Sequence, residues 1–245
     1  MIKEIKAFEE ISGEISPLFP RIFSAFKYKS GSDNAWVQID ATGQRVSLLS
    51  SVDNNFTLIA TEKSDFEEIK EFLVFHHFNS VLSNVPLKST TEKACSLFKF
   101  TDIDIQKSNE SFLILNSEAS LNEYRSFHSL LFYDTDNSFD DWYYNFSKRI
   151  VKNDAKAVAL KQHEVLLSTA TAPMIFENSA IISGVYTLKG FRKKGYSKAT
   201  IYKLIEELKK DNVTDIYLWC EKEVEEFYNK IGFEIIGNVY IETEL

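Results

Sequence analysis

Residues 190–200 read GFRKKGYSKAT. With Lys189 just before them, they gather two glycines and five basic residues in a chain whose formal net charge is −8. An apolar run of strand character, SAIISGVYT (179–187), leads in. SKATIYKLIEELKKD (197–211) leads out, with Ile201, Leu204, Ile205 and Leu208 at helical spacing. A strand that ends in a glycine-bearing loop and opens a helix presents free backbone N–H groups at the positive end of the helix dipole, a ready anion site. Gly195 lets the backbone approach the anion, and Arg192, Lys193, Lys194 and Lys198 surround it with charge. Cations are otherwise unfavourable at a helix N-terminus, so the cluster reads as a phosphate or pyrophosphate loop.

The stretch falls one residue short of G-x-x-x-x-G-K-[ST], because Tyr196 stands where the phosphate-binding lysine belongs. Nothing would then reach the β- and γ-phosphates of a nucleoside triphosphate. The dinucleotide fingerprint G-x-G-x-x-G is absent from the loop.

The rest of the chain sets the frame. The 245 residues are 44% apolar and 14% aromatic, which predicts a folded protein with a large core. Four prolines and eight glycines leave little for linkers. No run of 18 apolar residues predicts a membrane span, and charges interrupt the first 15 residues where a signal peptide needs an apolar core. Cys95 and Cys220 fit neither a disulfide framework nor a zinc spacing, so a reducing cytoplasm is the expected location. The acidic balance argues against nucleic-acid binding and mildly favours cationic small molecules.

Along the chain, the first 30 residues are expected to form a helix and its exit. AWVQID, RVSLLS and FTLIATE then read as strands, DFEEIKEFLVFHHF as a helix, NSVLSNVPL as a strand, TEKACSLFKF as a short helix and DIDIQKS as a closing strand. From residue 109 the pattern predicts the order β-α-α-β-β-β-α-β-α-β, and residues 30–107 repeat its outline with no detectable sequence identity. The expected fold is mixed α/β, with two domains at 1–108 and 109–245. The first is a smaller α+β half packed against the second.

Residues 192–197, Arg-Lys-Lys-Gly-Tyr-Ser, resemble the coenzyme A pyrophosphate loop [QR]-x-x-G-x-[GA] of the GNAT acyltransferase superfamily, and EEFYNKIGF (225–233) resembles its second signature. The element order over 109–245 is similar too. The resemblance implies a GNAT fold in the second half and an N-acyltransferase using acetyl-CoA as co-substrate. The implied acceptor is a small amine or amino-acid-like molecule, and transfer is direct within a ternary complex. It assigns the pantetheine arm to Val185, Tyr186 and Thr187, and the pyrophosphate to Arg192, Lys193, Lys194, Gly195, Tyr196 and Ser197. Tyr228 takes the role of proton donor to the leaving thiolate. The first half would be a degenerate copy without a coenzyme loop, as in glycine N-acyltransferase-like members, or else a separate accessory α+β domain with its own ligand.

Departures from the pattern are Ser197 for the usual Gly or Ala, Lys189 for proline, Glu221 for asparagine, and Ile181 near the position of a glutamate base. The base therefore stays open among His128, His163, Glu221, Glu223 and water. YDTDNSFDDWYY (133–144) could cradle a cationic amine with its four aspartates, or Ser138 could simply cap a helix with Asp141. No metal is expected: this segment lacks the glycine and glutamate of a calcium loop, and His76 and His77 lack partners. A monomer or homodimer is expected. Two alternatives are a non-catalytic acyl-CoA-binding regulator and a protein or peptide N-acetyltransferase.

Overall fold

The computed structural model describes residues 1–13, 16–29, 34–101, 109–135 and 137–244. They form two compact units, Met1–Lys99 with Trp219–Leu245, and Phe100–Leu218. The division runs through two strands, β6 (Lys93–Phe100) and β11 (Asp215–Cys220).

The first unit begins with β1 (Ile2–Glu4) and α1 (Phe19–Lys27), followed by the meander β2 (Asn34–Ile39), β3 (Arg45–Val52) and β4 (Asn55–Ala60). Asp53 and Asn54, at φ 50° and 58°, make the tight β3–β4 turn, a conformation these two residue types tolerate. Next come α2 (Phe66–Phe75), β5 (Ser80–Ser83), β6, and from the far end of the chain α6 (Glu225–Lys230) and β12 (Phe233–Glu242). The strand order is β1-β2-β3-β4-β5-β12-β6. β4 and β5 run parallel, and β12 lies antiparallel to β5 with Tyr240 opposite Ser83. Trp36, Leu49, Phe56, Leu58, Ile69, Leu73 and Val81 form its core.

The second unit holds β7 (Ser111–Leu115), α3 (Leu121–Leu131), α4 (Phe139–Val151), β8 (Lys156–Gln162), β9 (Val165–Phe176), β10 (Ser179–Thr187) and α5 (Tyr196–Lys210). Its strands are ordered β7-β8-β9-β10 and then the start of β11, which pairs with β10 in parallel. Four consecutive residues of β8, Ala157–Leu160, are fully buried. Successive side chains of a strand point to opposite faces, so both faces of this sheet are covered. Ala157 and Ala159 pack in a cluster with Tyr124, Phe127, Phe146 and Ile150 of α3 and α4, while α5 lies against β8 and β9.

The mixed α/β class and the order over the second half match the sequence expectation. Two local readings are corrected. Residues 93–100 form strand β6 and not a helix: apolar Cys95, Phe98, Leu97 and Phe100 fit either period, and pairing within the sheet decides for the strand. The opening segment contributes β1, which pairs with β2 through Lys3 opposite Val37. The closing strand expected at 102–108 lies outside the described residues. Among those described, no helix is long and apolar enough to cross a membrane.

Candidate active site

β10 is the strand that builds the site, and it is not regular. Its parallel ladder to β11 ends at Ile181 opposite Tyr217. Its antiparallel register with β9 shifts twice, between Ile181 and Ser183 and again between Ser183 and Tyr186. In the first shift β9 carries the extra residue, with Ala172 and Pro173 facing Ile182, and Pro173 has no N–H to give to a ladder. In the second the extra residue is on β10, where Gly184 and Val185 face Ala170, and the original register returns. Gly184 sits at φ +58°, and a Cβ there would stand 2.7 Å from Leu131 Cδ1 and 3.0 Å from Thr171 Oγ1. The left-handed φ favours glycine, and any Cβ there would make Leu131 and Thr171 shift.

Hydroxyls from β9 hold this crook. Thr171 Oγ1 donates to the Ser183 carbonyl at 2.9 Å, Thr169 Oγ1 to Gly184 at 3.0 Å, and Ser168 Oγ to Tyr186 at 2.9 Å. Thr187 Oγ1 in turn donates to Ser168 Oγ at 2.8 Å, so the 2.7 Å contact between Thr187 and Ser197 uses the serine proton. Ser197 thereby ties the first turn of α5 to the end of β10. Its hydroxyl is a structural link as well as a small residue beside the loop.

The loop itself runs from Leu188 to Gly195. Gly195 is the N-cap of α5 at φ 83°, and no side chain caps this helix. In α2, α3 and α4 the caps Asp65, Ser120 and Ser138 each accept from the backbone three residues on. The first N–H groups of α5 have no such acceptor and no intrahelical partner. Arg192, Lys193, Lys194, Gly195 and Lys198 around them are exposed, and the three lysines make no ion pair among the described residues. Arg192 does more than carry charge: its Nε donates to the Thr187 carbonyl at 3.0 Å, and its guanidinium lies 5.6 Å from the Tyr186 ring centre. Strand end, loop and helix start thus meet at Thr187, which bonds to both Arg192 and Ser197.

The connection between α3 and α4 approaches this surface. Tyr186 donates its hydroxyl proton to Asp134 Oδ2 at 3.1 Å, Lys189 Nζ pairs with Asp134 Oδ1 at 3.4 Å, and Tyr133 stacks on Tyr186. Burial and then the Asp134 carboxylate raise the Tyr186 phenol above its ordinary pKa. Ser138 does cap α4, through Asp141 N at 3.4 Å. Asp136 lies outside the described residues. His128 on α3 is enclosed by Phe132, Phe139 and Trp142, and burial lowers its pKa, against the hydrogen bond it donates to Asn137, which raises it. Its buried Nε2 has no partner. His163 sits in the exposed β8–β9 turn at φ 46°. Ile181 is fully buried, so no acid occupies that position of β10.

Tyr228 belongs to the first unit, on α6. Phe98, Phe233 and Phe227 surround its ring, with centres 5.9, 5.8 and 5.1 Å away. Burial, with Cys220 second, pushes its pKa up to about 12, so the hydroxyl keeps its proton at any physiological pH. Nearby, Glu221 pairs with Lys93 at 2.5 Å and Glu225 accepts from Ser96. Cys95 and Cys220 are free and buried, and burial drives the Cys220 thiol up to about 12, which leaves it unreactive.

The first unit has its own strand–loop–helix, β4 to α2, and it is closed. The β4–β5 ladder runs in register from Asn55/Ser80 to Leu58/Ser83. Beyond it the Asn84 amide takes both the Ala60 N–H, at 2.8 Å, and the Ala60 carbonyl, at 2.9 Å. The α2 N-terminus is filled by the Asp65 carboxylate, 3.1 Å from Glu68 N. Among the described residues, no group of three or more His, Cys, Asp or Glu could hold a metal ion.

Residues 120–233 match the model of the acetyltransferase (GNAT) family. No curated protein matches the chain. Among solved structures, a GCN5-related N-acetyltransferase from Kribbella flavida superposes with TM-score 0.64 at 14% identity, covering 94% of this chain and 95% of its own. A GCN5-related N-acetyltransferase from Sphaerobacter thermophilus gives 0.60 at 10%, over 99% and 95%. A tandem GNAT protein of the clavulanic acid biosynthesis pathway, solved without AcCoA, gives 0.60 at 9%, over 91% and 87%. These likenesses establish the fold, and the family match bears out the expected enzyme class, an acetyltransferase domain of the GNAT type.

Proposed function

We propose that the chain, through the GNAT acetyltransferase domain at residues 120–233, moves an acetyl group from acetyl-CoA to the amine of a small, cationic acceptor. One observation carries this reading: an uncapped helix N-terminus ringed by Arg192, Lys193, Lys194 and Lys198, directly after a crooked strand end. A pyrophosphate supplies the acceptors and the charge that this loop lacks. Val185, Tyr186 and Thr187 would pair their backbone with the amides of the pantetheine arm. Gly195, Tyr196 and Ser197 would offer N–H groups to the phosphates.

The chemistry asked of the protein is modest. Holding thioester and amine together supplies much of the rate. The amine nitrogen attacks the thioester carbonyl, the C–S bond breaks, and Tyr228 gives its proton to the departing thiolate. A phenol with a pKa near 12 suits that task, since it is always protonated. We assign the proton lost by the amine to water, with exposed His163 and Glu223 as the alternatives: position 181 carries no acid, His128 is enclosed, and Glu221 is paired with Lys93.

Asp134, Asp140 and Asp141, with the aromatic residues between them, support a cationic acceptor. A reducing compartment fits the two free cysteines. The first half, residues 1–108, reads as a degenerate copy of the second. Its equivalent strand edge is taken by Asn84 and its helix N-terminus by Asp65, so each chain binds one coenzyme.

Calorimetric titration with acetyl-CoA, with ATP as the control, tests the reading. Saturable acetyl-CoA binding at one per chain, weakened about tenfold or more by Arg192→Glu, is expected. Binding of ATP in its place would return the loop to the nucleotide class. The buried Ile181 favours one competitor, a regulator that binds acyl-CoA without turnover. An amine screen that finds no acetylation by a protein that binds acetyl-CoA would select it.

A further inference from the structure

Three β9 hydroxyls bond to carbonyls of β10 at and beside its bulge. Between Ile181 and Tyr186 the register of β9 and β10 shifts by one residue and returns, and Pro173 brings no N–H to that stretch. Thr171, Thr169 and Ser168 answer the carbonyls of Ser183, Gly184 and Tyr186 at 2.9, 3.0 and 2.9 Å. All three side chains are buried, Ser168 and Thr169 completely, so water cannot replace them. Without these donors the bulge at Gly184–Val185 would lose its side-chain anchors and the backbone there would be free to shift, while Tyr186 and Thr187 stay opposite Thr169 and Ser168.

From this we infer that Thr169 and Thr171, with Ser168, are positioning residues for coenzyme binding: their hydroxyls hold the Gly184–Val185 bulge in the conformation that offers the strand-end backbone to the pantetheine amides. They touch neither coenzyme nor acceptor. The inference rests on the acetyl-CoA reading and goes beyond it by naming what sets the geometry of the strand edge. Gly184 is the other half of the device, since its left-handed φ lets the chain turn where Thr171 and Leu131 leave no space for a Cβ.

Valine copies the shape of threonine without its hydroxyl, and serine keeps the hydroxyl without the methyl. The test compares the wild type, Thr169→Val/Thr171→Val and Thr169→Ser/Thr171→Ser by calorimetric titration with acetyl-CoA and, with an accepted amine, by steady-state kinetics. For the valine pair, the acetyl-CoA dissociation constant and KM rise about tenfold or more, while kcat at saturating acetyl-CoA changes less than about threefold. The serine pair returns affinity to within about threefold of the wild type.

A purely structural role would lower melting temperature and the fraction of active protein without this split. If the valine pair fails to fold, Thr169→Val, Thr171→Val and Ser168→Ala each retain two of the three hydroxyls and carry the same comparison. Folded valine variants that bind acetyl-CoA as tightly as the wild type overturn the inference while leaving the coenzyme reading intact. So do serine variants as weak as the valine ones, because the methyl and not the hydroxyl would then matter. A wild type that binds no acetyl-CoA removes the coenzyme reading itself, a separate and recognisable result.

Discussion

Tyr228 is the residue on which turnover is expected to depend most. Replacing it by phenylalanine removes one oxygen from a ring packed among Phe98, Phe227 and Phe233, so the fold should survive. The expected result for Tyr228→Phe is a fall in kcat of about 100-fold, with acetyl-CoA affinity unchanged by titration. Its pKa of about 12 also fixes a pH signature: the acid form persists, so Tyr228 contributes no loss of kcat between pH 7 and about 10. An alkaline limb in that window that disappears in Tyr228→Phe would contradict the assignment. Gly184 makes the second prediction at this scale. Gly184→Ala places a methyl 2.7 Å from Leu131 and forces alanine into a left-handed backbone, costing about 2 kcal/mol or more, read as a lower denaturant midpoint.

At the scale of elements, the α3–α4 connection reaches Lys189, at the start of the basic loop, through the Asp134 carboxylate. Asp134 holds Lys189 and accepts from Tyr186, so it competes with any phosphate for the same cation. Exposed pairs of this kind are worth about 1 kcal/mol or less, and Asp134→Asn should therefore tighten acetyl-CoA binding about two- to fivefold. Weaker binding in that variant would mean that Asp134 orders the loop for the coenzyme and does not oppose it. Elements also divide what could be read from the sequence. The loop and α5 were legible because a local cation cluster and a 3.6-residue period coincide between residues 189 and 208. β6 was not, because Cys95, Leu97, Phe98 and Phe100 suit two periods. The roles of Ser168, Thr169 and Thr171 were hidden for another reason. Their hydrogen bonds run to a neighbouring strand, and a polar run inside a strand gives no sign of which carbonyls it reaches until the register is known. The S-T-A-T run of 168–171, followed by Pro173, was the available clue.

For the whole molecule, pH and connectivity give two further tests. Tyr124, Tyr228 and Cys220 are all raised to about 12 by burial, from ordinary values of 10.0 and 9.0. The folded state thus holds these protons more tightly than the unfolded one. Their contribution is complete below pH 9 and is lost as pH rises toward 12, so the melting temperature should fall across that range. On the acid side His76 and His128 act in the opposite sense: burial lowers both, and stability falls as pH drops below their ordinary 6.5. A melting temperature flat from pH 9 to 11 would refute the alkaline prediction. Cutting the chain after residue 108 tests the topology. The fragment 1–108 lacks β12, which separates β5 from β6, and its circular dichroism should show no cooperative melt until the fragment 109–245 is added.

The insertion of Phe233–Glu242 between β5 and β6 also sets a timetable. A ribosome delivers β5 and β6 well over a hundred residues before the strand that must lie between them. Throughout that interval both edges carry unpaired backbone groups, the form in which nascent chains are most inclined to pair with one another. Yield from a cell should therefore depend on how fast residues 109–245 follow, and on chaperones that shield the waiting edges.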